Sequence, residues 1–144
     1  DITGGSPELI PNIKDFISEI AKLKTKIILR SNMTLLCKDK YRSLVETLIN
    51  NKVEIIGSMP SVDTNKTNIQ RGNGTFSKII ESIQMLNKQG YSQPNSDLKL
   101  NLVHNPSGAY LPSSQQVLEK NIKNTFKKNS IFHLITYSAL QICQ

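Results

Sequence analysis

Two glycine-bearing segments offer the backbone itself as the reactive surface. Gly4-Gly5 follows directly on Asp1-Ile2-Thr3. Such a pair lets a ligand come close to the chain and presents amide donors and carbonyl acceptors to it. An isolated Gly-Gly also makes an ordinary tight turn, so both uses stay open. Arg71-Gly72-Asn73-Gly74 precedes a helical stretch that starts near Thr75, where backbone amides at a helix N-terminus suit an anion. Thr75-Phe76 follows the second glycine, so this is not the Lys-Ser/Thr ending of a phosphate-binding P-loop. The Arg71 guanidinium suits a carboxylate held at two points, and equally a solvated loop position. Side-chain catalysis has little to draw on. His104 and His133 are the only histidines, each in an apolar run and without a Cys/His partner at metal-ligand spacing. No nucleophile elbow or Ser-His-Asp ordering occurs, and Cys37, after an apolar run, reads as a buried thiol.

These residues need a frame. Short apolar runs at 26–30, 53–57, 98–103 and 131–135 are rich in β-branched residues and read as buried strands. Between them, apolar residues recur at spacings of three and four: Ile13, Phe16, Ile17, Ile20 and Leu23; Tyr41, Leu44, Val45, Leu48 and Ile49; Phe76, Ile79, Ile80, Ile83 and Leu86. Each set places one apolar stripe on a helix. Gly90 sits where the third helix should end. A fourth helix is expected over 113–128, with Val117, Leu118, Ile122 and Phe126 as its apolar set. With Asp1-Ile2-Thr3 as the end of a strand, the pattern gives five strands and four helices. Strand–helix alternation predicts a parallel sheet with right-handed crossovers, in one domain over residues 1–144. The segment from Met59 to Gly74 is expected to be a long functional loop.

In parallel α/β folds ligands gather at the carboxyl ends of the strands, and the two ends differ here. Chain entering the strands reads Lys24-Thr25, Asn50-Asn51-Lys52 and Asn95-Ser96-Asp97. Chain leaving them reads Thr3-Gly4-Gly5-Ser6, Arg30-Ser31-Asn32, Gly57-Ser58-Met59-Pro60 and His104-Asn105-Pro106. Small, amide and hydroxyl residues cluster at the exits, which predicts a site for a polar small molecule there.

Bulk properties narrow the class. The net charge is +7, yet the lysines are scattered and the aromatic residues do not interleave with them as a base-stacking platform. Direct nucleic-acid binding is not expected. No apolar run approaches the ~18 residues of a membrane span. Two cysteines, Cys37 and Cys143, far apart in sequence, predict a reduced, cytoplasmic setting. Asn-x-Thr sequons at Asn32, Asn65 and Asn73 carry no weight without an export signal. The chain opens on Asp1 rather than Met and is expected to be part of a longer protein.

Four segments in order resemble the radical SAM superfamily. Asp1-Ile2-Thr3-Gly4-Gly5-Ser6-Pro7-Glu8-Leu9 resembles the second-strand Gly-Gly-Glu-Pro motif, and Ile28 to Leu36 the third-strand Thr-Asn-Gly-Thr-Leu. Ser58-Met59-Pro60 with Asp63, then Arg71-Gly72-Asn73-Gly74-Thr75-Phe76, looks like the fourth-strand Ser-Leu-Asp stretch and its Arg-Gly-x-Gly-x-Phe continuation. Leu100-Asn101-Leu102-Val103-His104-Asn105-Pro106 and the Gly-Gly-Ser-Pro-Glu segment are most similar to the arsenosugar-biosynthesis members. The resemblance implies a partial (β/α)6 barrel, strands two to six of the core, with the helices outside. It implies S-adenosylmethionine bound through Thr3, Gly4 and Gly5 at its amino group, through Ser58 and Arg71 at ribose and carboxylate, and with Asn105 at the same strand ends. In the parent enzyme it implies a 4Fe–4S cluster, a flavodoxin- or ferredoxin-type electron donor, and a 5′-deoxyadenosyl radical added to a methylated arsenical. Ser6 stands where the general motif has Glu. The Cys-x3-Cys-x2-Cys loop that would hold the cluster has no counterpart in this chain, so the chain alone is expected to be inactive. A cluster-free α/β binding or scaffold module is the alternative.

Overall fold

The computed structural model describes residues 1–61, 63–104, 124–125 and 136–139. Over these the chain builds a four-stranded sheet of β1 (Ile28–Ser31), β2 (Glu54–Met59), β3 (Leu100–His104) and β4 (Thr136–Ala139). The strands stand in chain order, and every neighbouring pair is parallel. Ile2 adds one parallel bridge on the far side of β1. Its N–H donates to Ile28 O at 2.8 Å, and Arg30 N–H donates to Ile2 O at 2.9 Å. The expected strand at Asp1-Ile2-Thr3 is thus reduced to a single bridge.

Helices among the described residues connect or flank the strands: α1 (Ile13–Ala21), α2 (Arg42–Asn50), α3 (Thr64–Arg71) and α4 (Thr75–Lys88). In a sheet that adds each strand on the same side, right-handed crossovers bring every connection to one face. The buried side chains agree. Ile13 and Ile17 of α1, Leu44, Val45 and Leu48 of α2, and Ile79, Ile80, Ile83 and Leu86 of α4 form one cluster with Leu29, Ile55, Leu100 and Leu102. Alternate strand residues point the other way. On that opposite face Arg30, Ile56, Ser58, Asn101 and Val103 are only half-buried.

Gly57 is part of the helix-covered face, and a Cβ there would lie 2.8 Å from Met33 Cγ and 2.9 Å from Leu102 Cδ2. The glycine makes room for Met33, a fully buried side chain on a left-handed backbone (φ 65°). Tyr91 closes the far end of the core, fully buried, with its hydroxyl donating to Val53 O at 3.0 Å. Burial pushes its phenol well above the usual tyrosine range.

Several expectations shift. The strands begin one or two residues later than the apolar runs, and the run at 131–135 lies outside the described residues, with β4 beginning just after it. The expected helix at 113–128 also lies outside them, apart from Asn124 and Thr125, which are helical. Phe16 and Leu23 belong to the α1 stripe by spacing but are 52% and 74% exposed. The helix ends at Ala21, which leaves Leu23 in the following turn, and Phe16 sits on the edge of the stripe. The expected loop from Met59 to Gly74 contains α3, started by Asp63, whose Oδ1 accepts Lys66 N–H at 3.0 Å. Only Thr67 of that helix is buried, so it has no apolar stripe to betray it. Among the described residues no helix is long and apolar enough to cross a membrane.

Candidate functional site

The segment Thr3-Gly4-Gly5 leaves the Ile2 bridge at the carboxyl end of the sheet, and all three residues are exposed. Gly4 has φ 131°, a backbone conformation that side chains resist. Gly5 has no such φ, and a Cβ at either glycine meets nothing within 4 Å. Among the described residues nothing therefore asks for glycine at position 5. The backbone groups of Thr3, Gly4 and Gly5 take part in no hydrogen bond among the described residues. A short stretch of chain is left open in both space and hydrogen-bonding capacity.

It is nevertheless fixed at both ends. Ile2 is bonded to β1 on one side. On the other, Asn32 Nδ2 donates to Ser6 Oγ at 2.7 Å, and Ser31 Oγ donates to Glu8 Oε1 in a very short bond. Ser31 Oγ in turn accepts Met33 N–H at 2.9 Å, and Asn32 Oδ1 accepts Thr34 N–H at 3.0 Å and Thr34 Oγ1–H at 2.7 Å. Pro7, Glu8 and Leu9 form a single 3-10 turn between these anchors. Glu8 is only 4% exposed, and its second oxygen, Oε2, is buried without a partner among the described residues. A buried carboxylate with one oxygen unsatisfied is expensive, so this turn is held by something other than ease of packing. Sequence reasoning missed Glu8, Ser31 and Asn32 as structural partners. The available signal was hydroxyl and amide residues directly after a strand, facing a Ser-Pro-Glu turn.

At the exit of β2, Ser58 lies half-buried on the face away from the helices, its hydroxyl unpartnered among the described residues. Met59, next to it, is buried. Arg71 occupies the last turn of α3 rather than a loop. Its side chain is exposed and makes no hydrogen bond or ion pair among the described residues, while its carbonyl accepts Thr75 Oγ1–H at 3.0 Å. The turn after it uses two positive-φ glycines, Gly72 (96°) and Gly74 (76°). Two early donors of α4 are already engaged there: Thr75 N–H with Gly72 O and Phe76 N–H with Asn68 Oδ1, both at 3.3 Å. That leaves less of the helix start for an anion than the sequence suggests. Asn105 lies outside the described residues, as do His133 and Cys143.

Gly4, Gly5, the Ser31–Thr34 turn and Ser58 thus stand at the carboxyl ends of adjacent parallel segments, and direct bonds join the first two exits. No bond joins Ser58 or Arg71 to Thr3–Gly5 among the described residues. Two open clefts lie among the described residues. One of about 440 Å³ is lined by Glu8, Asn12, Lys14, Lys40, Tyr41 and Ser43, and one of about 310 Å³ by Cys37, Arg42, Glu46, Met85 and Gln89. Among the described residues the exits form an open, polar rim. No group of three or more His, Cys, Asp or Glu residues is placed to hold a metal among the described residues. Chemically, the rim can hold a polar or zwitterionic small molecule by backbone atoms and hydroxyls, and the hydroxyl–carboxylate pair described there, Ser31 with Glu8, is buried. Compared with protein families and with curated proteins, the chain matches none.

Proposed function

We propose that this chain is the S-adenosylmethionine-binding wall of a radical SAM enzyme, a partial (β/α)6 barrel of the kind that acts in arsenosugar biosynthesis. The observation that carries this reading is the Thr3-Gly4-Gly5 backbone, exposed, free of hydrogen-bond partners among the described residues, and pinned on both sides. Carbonyl oxygens of such a segment can accept hydrogen bonds from an ammonium group. Ser58 would meet the ribose, and Arg71 would pair the carboxylate in a charge-assisted contact. Asn105 belongs to the same proposed set. The strand order supports a barrel segment, since parallel strands in unbroken chain order with helices on one face are how a (β/α) barrel is laid down.

The residues present do not fit a 4Fe–4S cluster. Such clusters are held by several thiolates, and the whole chain has two cysteines, Cys37 and Cys143. S-adenosylmethionine in the proposed parent enzyme would be the source of a 5′-deoxyadenosyl group. The electron, from a flavodoxin- or ferredoxin-type donor, and the cluster must come from outside this sequence. The residues here bind and orient. The same cysteine count favours the second reading, a cluster-free binding or scaffold module.

Gly5→Val separates a ligand site from a plain turn. A Cβ at position 5 meets no described atom within 4 Å and the backbone there has no positive φ, so stability should hold. The valine side chain occupies the space that a ligand would need. Calorimetric titration with S-adenosylmethionine should show saturable binding to the parent and at least about 10-fold weaker binding to Gly5→Val. No saturable heat with the parent, or equal affinity in the variant, overturns the reading.

A further inference from the structure

We infer that Glu8 and Ser6, gripped by Ser31 and Asn32, form a two-point latch that holds the Thr3–Gly5 backbone rigid, making all four positioning residues for whatever docks there. The ligand's identity rests on the reading above; the latch does not.

The argument starts from the freedom that the loop should have. Two adjacent glycines in open space, with no backbone hydrogen bonds of their own, carry the largest conformational entropy that a chain offers. Left alone, Thr3-Gly4-Gly5 would sample many conformations, and a ligand bound by its backbone would have to order it at a cost in affinity. The two anchor pairs remove that freedom before binding. They come from consecutive residues at the exit of β1, Ser31 and Asn32, and reach Glu8 and Ser6, two positions apart across the 3-10 turn. Two bonds from one rigid strand end fix both position and orientation, which one bond could not. Asn32 is itself locked by the two bonds from Thr34, and Ser31 by the Met33 amide. Met33 anchors in the core over Gly57. The loop is therefore tied through the latch to the core of the sheet.

The buried, half-satisfied carboxylate is the feature that packing alone does not explain. An apolar residue at position 8 would avoid burying Oε2 without a partner. Glutamate supplies what an apolar side chain cannot, an acceptor that reaches Ser31 Oγ from within the turn. Ser6 serves similarly. Where the radical SAM motif has Glu, this chain has a hydroxyl short enough to accept from Asn32 and stay out of the open space beside Gly5.

The experiment uses the intact protein and reads the loop directly. Backbone nitrogen-15 relaxation gives order parameters at Gly4 and Gly5, where rigid backbone reads about 0.85 and flexible backbone below about 0.6. The parent should sit near the rigid value at both glycines. Asn32→Ala and Ser31→Ala should drop both toward the flexible range, while amides of β2 and β3 stay unchanged, and Ser31→Thr, which keeps the hydroxyl, should restore order. Because Ser31→Ala strands a buried carboxylate and risks the fold, Glu8→Gln provides the second arm. Its amide oxygen still accepts from Ser31, so order should be kept. S-adenosylmethionine affinity should fall about 10-fold in the alanine variants and stay at the parental value in Glu8→Gln. Flexible glycines in the parent, or alanine variants as rigid as the parent, overturn the latch. Glu8→Gln that binds weakly with an ordered loop also overturns the positioning role, because the carboxylate would then be touching the ligand. If the glycines behave as expected but the parent binds no S-adenosylmethionine, the latch stands and only the ligand assignment falls.

Discussion

Gly57→Ala tests the packing on which the β1 exit rests. The new methyl carbon would lie 2.8 Å from Met33 Cγ and 2.9 Å from both Met33 Sδ and Leu102 Cδ2. Ordinary carbon contacts sit at about 3.5–4.0 Å, so the neighbours must retreat by most of an ångström. Met33 and Leu102 are fully buried, and neither has open space to retreat into. Overpacking of this kind costs about 1–3 kcal/mol, and a loss near ~2 kcal/mol should lower the melting temperature by about 6 °C in a domain of this size. Met33→Gly should rescue part of it. Alone, that change forfeits a buried side chain at roughly 2–5 kcal/mol, offset by about 1 kcal/mol as the left-handed backbone is relieved. In the double variant both Met33 contacts are gone, Leu102 can relax into the space Met33 vacated, and the alanine methyl fills part of the void. Its destabilisation should therefore fall short of the summed single effects by at least ~1 kcal/mol. Urea unfolding followed by far-ultraviolet circular dichroism measures all three. Additivity within about 0.5 kcal/mol, or a Gly57→Ala variant as stable as the parent, would refute the packing argument.

Tyr91→Phe should cost about 1–2 kcal/mol, because Val53 O loses its buried donor. In an alkaline absorbance titration the Tyr91 phenol should ionise only as the chain unfolds, since burial holds its pKa far above the ordinary value. The exposed Lys52–Asp97 pair, 2.7 Å apart, raises the lysine pKa and lowers that of the aspartate through hydrogen bonding and charge attraction. Any stability it lends is present above the unfolded carboxylate pKa and below that of unfolded lysine. It fades in acid as Asp97 protonates and in strong alkali as Lys52 loses its proton. Asp97→Asn should differ from the parent, if slightly, at neutral pH and converge with it at about pH 2, as read by urea midpoints; a gap that persists in acid contradicts the pairing. Arg71→Ala should weaken S-adenosylmethionine binding by about 10- to 150-fold and Arg71→Lys by less. Unchanged affinity by calorimetry would reduce Arg71 to the exposed helix-end residue that its lack of partners also allows.

The sheet was legible because its signals are long and redundant. Runs such as Val53 to Ile56 and Leu100 to Val103 are apolar enough to announce buried strands, and the stripes of α2 and α4 repeat over several turns. What escaped was whatever local hydrogen bonding decides. α3 owes its start to a cap from Asp63, not to an apolar face, so periodicity could not reveal it. Phe16 has the right spacing and yet faces solvent, because spacing gives a helical face but not where that face runs out of neighbours. At the site, Gly4 and Gly5 were readable as residues, whereas the Ser6–Asn32 and Glu8–Ser31 bonds join positions 26 and 23 residues apart. Pairings across that distance need the strand register before they can be seen.

The face of the sheet away from the helices bears on how the architecture is completed. Arg30, Glu54, Ser58 and Asn101 alternate there with Ile28, Ile56 and Val103. Among the described residues most of its polar groups are bound to one another, the Ser58 hydroxyl and Asn101 Oδ1 excepted. Arg30 pairs with Asp1 at 2.9 Å, Glu54 pairs with Lys26 at 2.7 Å, and Glu54 Oε1 also accepts Asn101 Nδ2–H at 2.7 Å. A doubly wound sheet covers both faces with helices, and its strands read as continuous apolar runs on both sides. It also reverses its strand order at a switch point, whereas the four strands here never reverse. One apolar face under helices and one polar, cross-bonded face instead suit a sheet that curls around a polar interior. In such a fold a ligand enters at the carboxyl rim, over the exits where Gly4, Gly5 and Ser58 lie. The mixed face and the unreversed order of the described strands, one an observation of side chains and one of topology, are what the proposed barrel wall rests on.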